Sequence, residues 1–156
     1  MTPRYVRHIH NDGGRAAAGF SRASGDCVCR AISIASGKPY REVHDGLNAL
    51  CALLHAGRCA WLPMPRKCPS ALTGVPELAT YLYLGQLGWA WTLVDRRLRY
   101  YELPPGRLVV AVPRHLVAVI DHVVHDSGDS WRGLRRVEGY WQEGHHGNSE
   151  MAACGN

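Results

Sequence analysis

One cysteine, one histidine and one acid in this chain are ordered as a nucleophile, a base and an orienting group would be. Cys27 follows Ser24-Gly25-Asp26 and opens the helix-like run Val28-Cys29-Arg30-Ala31-Ile32-Ser33-Ile34-Ala35. A thiol at a helix start sits beside free N–H groups and the positive end of the helix dipole, and both favour thiolate. His115 starts the β-like run His115-Leu116-Val117-Ala118-Val119-Ile120, and Asp126 ends the run Val123-Val124-His125-Asp126. If the imidazole takes the thiol proton, the thiolate can attack a carbonyl carbon and form an acyl-enzyme. The imidazolium then protonates the leaving group. The Cys27 backbone N–H is the candidate oxyanion donor, with a second donor needed from upstream.

The two strands must pair in one register for this to work. With Asp121 and His122 at the centre of the turn, Ile120 faces Val123, Val117 faces Asp126 and His115 faces Gly128. Alternation then places His115, Val117 and Asp126 on one face. His115 and Asp126 become diagonal neighbours roughly 7–8 Å apart at the backbone, within side-chain reach. An acid there fixes the imidazole tautomer and stabilises imidazolium. His125 falls on the opposite face. Asp-His is a poorer two-residue turn than Asp-Gly, and a slip of one residue would swap the faces.

The elements that position these groups read as helices first and strands second. Residues 1–24 read as an irregular arm with a turn at Asn11-Asp12-Gly13-Gly14. A helix starts near Asp26 as N-cap and ends at Gly37, before Pro39. Pro39 suits the first position of a second helix, in which Val43, Leu47, Leu50 and Leu54 recur at helical spacing to about His55. Residues 56–74, with three Pro, read as a loop. Pro76 begins a third helix, with Leu78, Tyr81 and Leu82 inward, ending near Gly85 or Gly88. Strands follow at Trp89–Val94, Leu108–Val112, His115–Ile120, Val123–Asp126 and Val137–Trp141, with a turn at Asp95-Arg96-Arg97. The fold class is α+β, with N-terminal helices packed on a C-terminal antiparallel sheet. The expected organisation is an arm at 1–24, a domain at 25–142 and a mobile polar tail at 143–156.

A chain of 156 residues with 46% hydrophobic and 20% charged residues can bury one core without staples. Six Cys occur with no CxxC pair, and Met1–His10 has no apolar signal core. The reading is a reduced, cytoplasmic protein with free thiols. No run is long enough to span a membrane, so no membrane partner is expected.

The block from Asp26-Cys27-Val28-Cys29-Arg30 through Gly37-Lys38-Pro39-Tyr40-Arg41-Glu42-Val43 resembles small bacteriophage and prophage proteins of the papain-like cysteine peptidase superfamily. Arg114-His115-Leu116-Val117-Ala118-Val119-Ile120-Asp121, Val124-His125-Asp126 and Gly139-Tyr140-Trp141 look like the same group's later segments. The likeness covers scattered blocks across residues 20–141. It implies a papain-like fold, with Cys27 as nucleophile, His115 as base and Asp126 as orienting acid. The expectations that go with it are a protein or peptide substrate, or a host protein, in the cytoplasm of a bacterial host cell, and no cofactor. Papain-like peptidases usually carry a Gln oxyanion donor at the position where Ser21 stands here. Asn11 and Ser24 are the nearby substitutes.

Four rival readings belong beside this one. A free Cys is most often a small buried hydrophobe, which is the rival reading for Cys27 and the reading for Cys29, about 200° around the helix from it. A zinc site built from Cys27, Cys29, Cys59, Cys68 and His55 lacks the short paired spacings of structural zinc. Arg96, Arg97, Arg99, Tyr100 and Tyr101, with Arg132, Arg135, Arg136 and the N-terminal Arg residues, mix charge and aromatics as nucleic-acid binders do, at a net charge of +5. A scaffold without catalysis that binds a host protein is the remaining class.

Overall fold

A computed structural model describes residues 7–21, 25–57, 66–94, 102–128 and 136–144. Helix α1 (Cys27–Ser36) begins one residue after Asp26. It ends because Gly37 takes a left-handed φ of 74° and returns its N–H to the Ser33 carbonyl, a geometry cheap only for glycine. Helix α2 (Tyr40–Ala56) follows, with Pro39 as its N-cap rather than its first helical residue. Val43, Leu47 and Cys51 are its fully buried apolar stripe. Helix α3 (Glu77–Gln86) starts after Pro76. Its buried residues are Ala79, Thr80, Tyr83 and Leu84, whereas Leu78 and Leu82 are 49% and 41% exposed, against expectation. Apolar residues ring this segment, so spacing alone does not select the buried side.

The strands are β1 (His8–His10), β2 (Trp89–Leu93), β3 (Arg107–Val112), β4 (His115–Ile120), β5 (Val123–Asp126) and β6 (Gly139–Glu143). They form one six-stranded sheet in the order β1-β5-β4-β3-β6-β2. The expected sheet was antiparallel; the observed one is mixed, because β1 runs parallel to β5 with His10 opposite Asp126. The arm is therefore not wholly irregular. A three-residue strand is too short to display alternation, and its partner lies over a hundred residues away. The last strand starts two residues later than expected, at Gly139. Its end at Glu143 extends the sheet past the expected boundary at 142, and the Gly144 N–H bonds the Gly88 carbonyl. The rest of the expected tail, 145–156, and the turn at 95–97 lie outside the described residues.

Side-chain alternation splits the core into two layers. Val109, Ala111, Ala118 and Trp141 pack with the helices through Ile32, Val43, Leu47 and Leu84. Leu108, Val110, Val112, Val117, Val119 and Val124 pack on the other face with Leu103, Val94 and Val137. Helix α1 lies mainly against β4 and β3. That contact brings its N-terminus to the start of β4. Among the described residues no helix is long and apolar enough to cross a membrane.

Candidate active site

The hairpin adopts the required register, pairing Ile120 with Val123, Val119 with Val124 and Ala118 with His125. Asp121 and His122 take φ values of 46° and 67°. Positive φ at both central positions is what a tight I′ hairpin turn needs, and here it is met without glycine. The Asp121 carboxylate accepts the Gly106 N–H at 2.8 Å, which ties the turn to the start of β3.

His115 and Asp126 meet as expected, with Nε2 to Oδ2 at 2.7 Å. Val117, expected on their face, instead packs in the layer away from the helices. The two polar groups stand at strand ends, where Val112 of that layer also borders the cleft. His115 opens β4 directly after the Pro113-Arg114 turn, where Arg114 has a φ of 58°, and Asp126 closes β5. There His115 meets the start of α1 through Cys27, and Asp126 meets it through Arg30.

Cys27 is partly buried there. Burial pushes its thiol up, but a hydrogen bond with His115, the Leu116 backbone N–H and the positive charges of His115 and Arg30 pull it down further. The net direction is below the ordinary 9.0. His115 is pushed up to about 9 by its bond to Asp126 and then by Cys27, against the opposing effect of burial. Nε2 is held by Asp126, so Nδ1 is the nitrogen left for the thiol. Both shifts run toward a thiolate–imidazolium pair.

Asp126 is only 3% exposed. Burial raises its carboxyl, but His115, the Ser127 N–H at 2.8 Å and Arg30 outweigh that, so the group lies below its ordinary 3.8. From the other side of the carboxylate's backbone, the Asp126 carbonyl accepts the Asn11 N–H at 3.0 Å and lies 3.1 Å from His8 Nε2. His8 of β1 and Asn11 just beyond it thus hold the Asp126 backbone. His125 is placed differently from His115. Burial, then His8 and Arg107, hold its imidazole below the ordinary value, and its Nδ1 lies 3.4 Å from the Asn11 amide.

The pair opens into a cleft of about 520 Å³ between α1, α3 and the sheet. One wall is aromatic. Trp91 and Trp141 lie 4.2 Å apart by ring centroids, and Tyr81 meets both edge-on at 5.5 and 5.1 Å. Gly139 makes this wall possible: a Cβ there would run into the Trp91 ring. Glu77, Glu138 and Arg114 also line the cleft.

The oxyanion donors resolve less fully. Asp26 occupies the N-cap position of α1 without making a side-chain cap bond, which leaves the Cys27 N–H in an uncapped first turn. Ser21 does not line the cleft. Asn11 is engaged with His125 and Gly13, and Ser24 lies outside the described residues. The other cysteines are different in kind. Cys29 is fully buried, and desolvation pushes its thiol up to about 12; burial also raises Cys51. Among the described residues no group of three or more His, Cys, Asp or Glu is placed to hold a metal ion. Cys59 and most of the basic clusters, including Arg96, Arg97, Arg99, Arg132 and Arg135, lie outside those residues.

Two features escaped the sequence reading. Arg30 contacts both Asp26 and Asp126; its spacing of four from Asp26 on one helix was the available signal. The aromatic wall was signalled by Trp89-Ala90-Trp91, an alternation that sends the two Trp to one face. Comparison of the chain with protein-family models, with curated proteins and with solved structures finds no match in any of the three.

Proposed function

We propose that the chain is a papain-like cysteine hydrolase that uses Cys27, His115 and Asp126 to cleave an amide, isopeptide or thioester bond. The observation that carries this reading is the contact chain from an α1 N-terminal thiol to His115 to a buried Asp126, opening on a cleft. The opposed pKa directions of Cys27 and His115 are those an activated nucleophile requires.

In the reaction, thiolate Sγ adds to the carbonyl carbon, and the developing oxyanion takes the Cys27 N–H. The tetrahedral centre collapses as the His115 imidazolium gives its Nδ1 proton to the leaving amine or thiol. Water, deprotonated by the same imidazole, then releases the acid and frees the thiol. An amine in place of water would make the same acyl-enzyme a transferase intermediate. The aromatic wall supplies apolar surface beside the thiol for a protein or peptide substrate, and a bacterial host cell is the setting that goes with this reading.

The test is the rate of Cys27 alkylation against pH, assigned by mass spectrometry, in the full chain and in His115→Ala. The pH midpoint is the proper readout, since a low-pKa thiolate is also intrinsically less nucleophilic. A midpoint well below the free-thiol value of about 8.5, which returns toward it in His115→Ala, supports the pair. A midpoint near the free-thiol value in both proteins removes the hydrolase reading and leaves a scaffold that acts by binding a host protein.

A further inference from the structure

The Cys27–His115–Asp126 chain continues past the acid. Arg30 lies one turn into α1, and its guanidinium joins two carboxylates. Nη1 is 3.1 Å from Asp26 Oδ1, and Nη2 is 3.4 Å from Asp126 Oδ1. The Arg30 side chain is 11% exposed, and the carboxylates are 1% and 3% exposed. Asp26 is the residue directly before the nucleophile. The contacts therefore close a ring: Cys27 to His115, His115 to Asp126, Asp126 to Arg30, Arg30 to Asp26, and one peptide bond back to Cys27.

We propose that Arg30 is the positioning residue of this site, holding the acid of the β-sheet and the nucleophile's own helix terminus at one fixed separation. The proposal rests on the reading that Cys27 and His115 act as an ion pair.

Three observations support it. First, every oxygen of the two carboxylates has a partner. Asp126 Oδ2 holds His115 at 2.7 Å, while its Oδ1 takes the Ser127 N–H and Arg30. Asp26 Oδ1 takes Arg30, and its Oδ2 takes the Tyr40 hydroxyl at 2.9 Å and Arg15 Nη1 at 3.5 Å. The plane of Asp126, and so the direction of Oδ2 toward His115, is fixed from both sides. Second, Asp26 stands where an N-cap would, yet makes no cap bond. Its carboxylate faces into the ring instead. Third, a planar fork reaches the two carboxylates from two arms held at a fixed spacing, whereas an ammonium is a point charge on a flexible stem and fixes no such spacing.

Stability alone is a poor account of such a group. Buried ion pairs can often be replaced by apolar residues without loss, because desolvation offsets attraction. The charged and titratable groups around Arg30 are Asp26, Cys27 and Cys29 at the start of α1, Asp126 on β5, His115 on β4, Arg15 from the N-terminal segment and Tyr40 on α2. Removing Arg30 leaves two buried acids with Arg15 and His115 as the remaining cations. That loosens the hold on His115 and takes a positive charge from near the thiolate.

The experiment compares the full chain with Arg30→Met and Arg30→Lys, reading the pH midpoint of Cys27 alkylation and the melting temperature. In Arg30→Met the midpoint is expected to rise by about one unit or more, the scale of losing a nearby opposite charge. In Arg30→Lys it is expected to rise by less, because the charge stays but the bridge across both carboxylates is lost. A lowered melting temperature with an unmoved midpoint in both variants overturns the proposal and leaves Arg30 a structural residue. If Arg30→Met does not fold, Arg30→Lys decides: a raised midpoint supports positioning, and a wild-type midpoint overturns it. A wild-type protein without a depressed midpoint would instead remove the ion-pair reading itself, a different failure seen before any variant is made.

Discussion

The proton on His115 is the most direct quantity to test, because the two groups that raise its pKa can be removed one at a time. The imidazole rises from an ordinary 6.5 to about 9, a change that corresponds to roughly 3 kcal/mol of preference for the charged ring. Asp126 contributes most, Cys27 less, and burial opposes both. Cys27→Ser removes the thiolate and leaves the Asp126 bond. In that protein the His115 ring should titrate above 6.5 and below about 9. Adding Asp126→Asn removes the second raising cause and leaves burial, so the midpoint should fall below 6.5. The assay is an NMR titration of the His115 ring, assigned by its loss in His115→Gln. Linkage supplies a second readout. A group whose folded value is raised contributes stability fully present below its unfolded value and lost as pH rises through the folded one. Cys27→Ser should therefore lose about 1–3 kcal/mol of unfolding free energy between pH 6.5 and 9, and the double variant should not. Wild type should show little of this slope, because between those values each state holds one proton, on His115 when folded and on the thiol when unfolded. A double variant whose His115 still titrates above about 7.5 would refute the assignment of Asp126 as the anion that holds the proton.

Two further substitutions test the frame around the site. His122 has a φ of 67° and a buried Nδ1 without a hydrogen-bond partner among the described residues. His122→Gly should therefore stabilise the protein by about 1 kcal/mol, seen as a melting temperature higher by roughly 2–4 °C. Gly139→Ala should do the reverse. Its methyl displaces the Trp91 ring, which should cost about 1–3 kcal/mol of overpacking and alter the near-UV dichroism of the Trp91–Trp141 pair, while the Cys27 alkylation midpoint stays in place.

What the sequence disclosed follows from distance along the chain. The end of α1 at Gly37, the start of α3 after Pro76 and the strands His115–Ile120 and Val123–Asp126 are written in adjacent residues: a left-handed position, a fixed proline φ, a run of β-branched side chains. The turn at Asp121-His122 was legible although its residues are poor for it, because the hydrophobic runs on both sides fix the register. The inner face of α3 was not legible, because its apolar residues surround the helix and packing against the sheet makes the choice. Strand β1 was not legible because three residues carry no period, and its existence depends on the open edge of β5.

The site divides along the same line, and the division bears on how it works. Cys27 and His115 each announce themselves locally, one by opening a helix and one by opening a strand. Their meeting depends on α1 lying across β4, and on His115 and Asp126 standing at strand ends. The pair is therefore held less by the sheet's own geometry than by polar contacts that cross between elements. Those contacts are the Leu116 N–H on the sulfur, Arg30 on both acids, and the Asn11 N–H on the Asp126 carbonyl. All but Arg30–Asp26 join segments far apart in sequence, and the neighbouring His8–Asp126 contact spans 118 positions. A thiolate–imidazolium pair tolerates little misalignment, since its stability rests on one hydrogen bond and a short charge separation. A ring of contacts closed through Arg30 resists that misalignment in a way that a lone His–Asp bond at a strand end does not.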